Sequence, residues 1–162
     1  MLEGCSREGG LMTREADIQE ILALPQEYCS AVNRRDWDDF ELLYATDARW
    51  RVPGNERDVV GAKNIREWTE NTFANVAFFS QMIGSQKLVR YTPEVANVYT
   101  HFQAFNVLYN GGGFQYFMVY DDEMRRDGDR WKFTDRIGHF LFRASVPPDG
   151  VPSPWPELRK FE

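Results

Sequence analysis

Histidine and cysteine are scarce in this chain. Among 162 residues there are two of each, His101 and His139, Cys5 and Cys29. The two cysteines show neither metal-ligand spacing nor a disulfide framework, and a reducing cytoplasm fits them best. No apolar run reaches the roughly 18 residues that mark a membrane helix, so no spanning segment is expected. Residues 1–11 carry Gly4, Gly9 and Gly10 and have no apolar signal-peptide core. There is no GxSxG, no HExxH and no Cys/His cluster, and Gly111–Gly113 lies between strand-like segments rather than before a helix. Metal and nucleotide chemistry are therefore not indicated. Positive charge is in deficit, with 19 Lys and Arg against 25 Asp and Glu, a net charge of −6. That balance argues against a nucleic-acid surface.

Aromatic residues are plentiful at 15% of the chain, within a hydrophobic content of 43%. This suits one domain large enough for a proper core and for an aromatic-lined cavity. Residues 1–12 read as a disordered tail, with Met12 an alternative start. Thr13 is a helix cap, and Ile18, Ile21, Leu22, Pro25, Tyr28, Cys29 and Val32 follow helical spacing. Pro25 predicts a kink or a restart within that pattern. Asp36 caps a second helix carrying Trp37, Phe40, Leu43 and Tyr44. Ala48 to Val52 reads as a short strand ended by Pro53-Gly54, and Gly61 precedes a third helix with Ile65, Trp68, Thr72 and Phe73.

After residue 76 the pattern turns to strands over 76–89, 97–108, 113–126 and 130–144, rich in Phe, Tyr and Val. Asn110-Gly-Gly-Gly113 and Asp127-Gly-Asp129 are turn signals. Helices followed by antiparallel strands predict an α+β layout with a curled sheet. The proline-rich stretch 145–162 reads as an extended C-terminal arm.

Two segments together carry a family resemblance. Tyr28-Cys-Ser-Ala-Val-Asn33-Arg-Arg-Asp36-Trp37, continuing to Leu43-Tyr44-Ala-Thr-Asp47-Ala-Arg49-Trp50, reads helix, helix, strand. Arg125-Arg-Asp-Gly-Asp-Arg-Trp131-Lys-Phe-Thr-Asp-Arg136 reads as a hairpin. The combination resembles the SnoaL-like branch of the NTF2-like superfamily, which includes polyketide cyclases, ketosteroid isomerase and small dehydratases. The resemblance implies a cone over residues 13–144: three N-terminal helices on a strongly curved antiparallel sheet enclosing one pocket. It also implies a homodimer or higher homo-oligomer.

The same resemblance suggests where chemistry would sit. Tyr28 matches the first-helix tyrosine of active relatives, a phenol able to donate to a developing oxyanion; packing of the helix on the sheet is its other reading. Glu27 resembles the first-helix acid of dehydrochlorinase-like relatives and is a candidate general base, or else a solvated helix-face glutamate. Asn33 stands where relatives carry Asp and reads as a cap for the turn into the second helix. Gln81 and Ser85 take the places of the relatives' His and Asn, and Ala104 falls near their strand Asp, so the acid–base dyad is replaced. Period two turns Phe79, Gln81, Ile83 and Ser85 inward, with Thr100, Phe102, Ala104 and Asn106 on the next strand. His101 then points outward. On the last strand Arg136, Gly138, Phe140 and Phe142 share the inner face, and Arg136 could bind an anion or pair with an acid. His139 falls on the other face and becomes the pocket acid–base only if that parity is reversed. Tyr44, Trp50, Trp68, Phe79, Phe102, Asn106, Tyr116 and Met118 are the expected walls for a flat apolar ligand.

The expected function is cofactor-independent lyase, isomerase or cyclase chemistry on a small, largely apolar cyclic metabolite. Glu27 or a histidine would move the proton, and Tyr28, Gln81 and Arg136 would hold the charged oxygen. The alternatives are a non-catalytic small-molecule-binding protein of the same fold and the structural small subunit of a ring-hydroxylating oxygenase. No metal, nucleic acid or membrane is expected as a partner.

Overall fold

A computed structural model describes residues 6–54 and 57–146. The described elements are α1 (Ser6–Arg34), α2 (Trp37–Leu42), β1 (Tyr44–Val52), β2 (Arg57–Val60), α3 (Ala62–Phe73), β3 (Val76–Tyr91), β4 (Val95–Leu108), β5 (Gly113–Asp127) and β6 (Arg130–Val146). None of the described helices is long and apolar enough to cross a membrane.

Helix α1 buries Ile21, Leu24, Tyr28, Ala31 and Val32, a stripe at the three- and four-residue spacing of one helix face. It starts at Ser6, so Thr13 lies inside it rather than at its cap, and it runs through Pro25 without a break in assignment. Residues 1–5 of the expected tail and 147–162 of the expected arm lie outside the described residues. Arg35, at φ 57°, ends the helix in the left-handed region. The amide of Asp36 donates to the carbonyl of Ala31 and that of Arg35 to Val32, closing a Schellman motif. Asp36 then caps α2, its carboxylate accepting from the amide of Asp39 at 3.1 Å. Helix α2 stops at Leu42, earlier than expected, because Tyr44 already belongs to β1.

The strands form one six-stranded sheet in the order β2-β1-β6-β5-β4-β3. It is antiparallel throughout except for β1 and β6, which run parallel. The expected layout of helices packed on a curved sheet holds; the short strand β2 and the parallel pair are additions to it.

The long strands do not keep a simple alternation. Register shifts fall at Val76/Phe78, Ile83/Gln86 and Leu88/Arg90 in β3, and at two places along the β5–β6 pair. Each inserts a residue, bends its strand and tightens the twist, which curls the sheet around its inner face. At Gly138 a Cβ would sit 2.9 Å from Met118 Cε and Tyr120 Cε1, so glycine leaves room for two inward side chains. Asp17 ties α1 to the sheet, accepting from the Tyr91 hydroxyl at 2.7 Å and pairing with Arg126.

Candidate ligand cavity

Helices α1 and α3 and the inner face of the sheet enclose a cavity of about 310 Å³. Trp68, Thr69, Thr72 and Phe73 reach it from one side of α3, and Tyr28 reaches it from α1. Trp50 of β1 stands edge-on to Trp68, with ring centroids 5.5 Å apart, and Phe73 packs on Phe79 at 4.6 Å. The sheet supplies Val76, Phe79, Gln81, Asn106 and Leu108, then Phe114, Tyr116, Met118, Tyr120, Phe140 and Arg143.

One row of cross-strand partners organises the polar part of this wall: Gln81, Ala104, Tyr116 and Arg143, successive neighbours on β3, β4, β5 and β6. Gln81 is 3% exposed. Its Oε1 is buried and has no hydrogen-bond partner among the described residues. Its backbone is fixed from behind by Asn33, whose Nδ2 donates to the Gln81 carbonyl at 2.9 Å while its Oδ1 accepts from the Gln81 amide at 2.8 Å. Asn33 therefore anchors β3 to α1, and the cap expected of it is made by Asp36. Asn106 turns its Oδ1 to the amide of Phe114 at 2.9 Å, which commits that oxygen to the sheet.

Beneath Tyr28 lies a buried ion pair. Arg136 and Asp122 are both fully buried and joined by two hydrogen bonds, Nε to Oδ1 at 2.7 Å and Nη2 to Oδ2 at 3.0 Å. The guanidinium carbon lies 4.1 Å from the ring centre of Tyr28, 4.2 Å from that of Tyr120 and 4.1 Å from that of Phe133, and Nη1 donates to the Tyr44 hydroxyl at 3.3 Å. Burial works against the Arg136 charge, but Asp122 more than offsets it and holds the guanidinium protonated. For Tyr28, burial first and then the neighbouring Tyr120 and Tyr44 phenols raise the hydroxyl well above its ordinary value, against the opposing effect of Arg136. Tyr28 is thus a neutral phenol, a hydrogen-bond group rather than a phenolate base.

Several expected site residues stand elsewhere. Glu27 is on the outer side of α1, its side chain 44% exposed and 3.6 Å from Arg130, because one position along the helix turns it away from Tyr28's face. His139 is exposed on the outer face of β6. Its sequence parity holds, and it is not among the described residues that line the cavity. His101 is likewise exposed, its Nδ1 3.0 Å from Ser85 Oγ. The bulge after Ile83 turns Ser85 outward instead of inward. Arg136 faces inward but is spent on Asp122. Tyr44 and Phe102 are buried below the cavity and do not line it, Phe102 packing on Tyr120 at 4.7 Å. Phe142 gives up the inner face to Arg143, because the register slips between the Met118–Phe140 and Phe117–Phe142 pairs and leaves Leu141 extra.

Tyr28, Gln81, Trp50, Trp68, Phe79, Asn106, Tyr116 and Met118 do come together. The reading from sequence missed Tyr120, Phe114 and Arg143 on the wall and Asp122 beneath it. Alternation along β5 with Tyr116 and Met118 already points to Phe114, Tyr120 and Asp122; nothing in the sequence marks Arg143.

No curated protein matches the chain by sequence. Among solved structures, a candidate aromatic ring hydroxylase from Novosphingobium aromaticivorans superposes with a TM-score of 0.76 at 25% identity, covering 81% of this chain and 94% of that one. A type-3 hexachlorocyclohexane dehydrochlorinase, LinA, from Novosphingobium barchaimii gives 0.76 at 20% identity, covering 90% and 99%. A candidate scytalone dehydratase from Novosphingobium aromaticivorans gives 0.76 at 14% identity, covering 88% and 99%. These likenesses fit the NTF2-like cone. The family model of the SnoaL-like domain matches residues 13–137, spanning both helices that wall the cavity and most of the sheet, and the chain belongs to that family.

Proposed function

We propose that this protein binds a small, largely apolar cyclic molecule carrying an oxygen function, and that binding rather than carboxylate- or imidazole-driven catalysis is its activity. One observation carries the reading. Aromatic rings, the Gln81 carboxamide and the Tyr28 phenol line the cavity, while no Asp, Glu or His is among its described lining residues. Rings such as Trp50, Trp68, Phe79 and Phe114 offer flat apolar walls. Gln81 and Tyr28 offer hydrogen bonds in a site of low dielectric, where they count for more than in water. The name given to one Novosphingobium aromaticivorans relative, a candidate aromatic ring hydroxylase, agrees with a ring-shaped ligand.

Dehydratase or isomerase chemistry is the second reading. The fold-mates named for elimination reactions favour it, and Tyr28, a neutral phenol on the cavity wall hydrogen-bonded to Tyr120, would be the donor to an oxygen that gains charge. Calorimetric titration with phenols and cyclic ketones, paired with proton-exchange NMR of the bound ketone in deuterated water, separates the two. Saturable binding without exchange supports the binding protein. Exchange that Tyr28→Phe abolishes in a folded protein establishes the enzyme. Failure of every ring-bearing probe to bind would remove both.

A further inference from the structure

Resting on that reading of the cavity, we infer that its ligand is an anion: a hydroxylated cyclic carboxylate or close equivalent, with the acid at Arg143 and the hydroxyl at Gln81. Arg143 is the sole Lys or Arg among the described residues lining the cavity, and it forms no ion pair with any described residue. Its guanidinium carbon sits 3.9 Å from the centre of the Phe114 ring, which holds the charge at the exposed rim of the cavity with its hydrogen-bond donors open to water or to a ligand. No carboxylate among the described lining residues competes for it.

Gln81 supplies the second contact. A buried carboxamide oxygen without a partner is costly, and the cost is removed when a ligand donor meets it. A hydroxyl satisfies a carboxamide from either side, since it both donates and accepts. The two groups lie at opposite ends of one cross-strand row, three strand steps or about 14 Å of sheet apart. The Arg143 guanidinium reaches the Phe114 ring on the neighbouring strand and so covers part of that span. Ala104, fully buried, stays behind the wall, and Tyr116 stands between it and Arg143 in the row, a ring on which the ligand's own ring can pack.

Calorimetric titration of the full chain with para-hydroxycinnamate, its neutral methyl ester and unsubstituted cinnamate tests this. The acid with the hydroxyl should bind about tenfold or more tightly than either analogue. Arg143→Gln should abolish the preference for acid over ester and leave the ester's affinity unchanged. Gln81→Leu should abolish the preference for the hydroxyl, and should raise the melting temperature of the ligand-free protein by removing an unsatisfied buried group, a gain that a purely structural glutamine would not give. Equal affinity for acid and ester, unaltered by Arg143→Gln, overturns the anion inference while leaving the cavity a binding site. Binding by none of the three, with the fold intact by circular dichroism, overturns the inference together with the reading it rests on.

Discussion

Asp122 and Arg136 face each other in register on adjacent strands, fully buried and doubly hydrogen-bonded beneath the cavity floor. Removing one partner leaves the other charge without water or counter-ion. Asp122→Ala should therefore destabilise the fold by about 3–5 kcal/mol in urea denaturation. Replacing both, Asp122→Leu with Arg136→Met, should cost less than Asp122→Ala alone, because the aromatic box around the guanidinium accepts an apolar chain. Losses that simply add would show that the two residues act independently.

Asn33 holds the backbone of Gln81 with a donor and an acceptor at once. Asn33→Asp keeps the shape but turns a carboxylate oxygen toward the Gln81 carbonyl. A loss of about 1–3 kcal/mol at neutral pH is expected, together with weaker ligand binding as β3 loosens. A urea midpoint equal to that of the unaltered protein would mean that the bridge contributes nothing.

Glu27 and His139 lie outside the cavity. Glu27→Gln and His139→Ala should leave ligand affinity and any proton exchange unchanged within error, and stability within about 0.5 kcal/mol. A strong loss of affinity or exchange from either change would bring it back into the mechanism.

Alkaline pH should unfold the protein through its buried phenols. Burial raises Tyr28 and Tyr44 above the ordinary value of 10.0, with Arg136 opposing. Above that value the unfolded chain sheds these protons while the folded chain keeps them. Stability is therefore complete below the unfolded value and falls as pH rises through it toward the folded values. Melting temperature measured from neutral to strongly alkaline pH should drop, and Tyr44→Phe should flatten the drop. If the ultraviolet phenolate signal for all tyrosines develops near the ordinary value in a still-folded protein, the burial argument is wrong.

Periodicity alone was enough to place α3 and the four long strands, since alternation on a half-buried surface and helical stripes are local signals. The family resemblance, combined with period two, also put Phe102, Ala104 and Thr100 on the inner face and both histidines outside. The start of β1 at Tyr44 was hidden because the apolar residues Phe40, Leu43 and Tyr44 fit a helix as well as a helix end followed by a strand.

What only the tertiary structure decided are the bulges and the fate of each polar group. Counted back from the 127–130 turn without a bulge, Asp122 would face Asp135; the slip beside Thr134 brings Arg136 opposite instead, and an anion-binding candidate becomes half of an internal ion pair. A second slip at Leu141 exchanges Phe142 for Arg143 on the cavity wall. A single extra residue reverses the parity of everything beyond it and leaves no mark in composition or period. The sequence by itself determined the family, the order of the helices and long strands and an aromatic interior; the bulges, set by long-range strand pairing, decided which charges the cavity keeps.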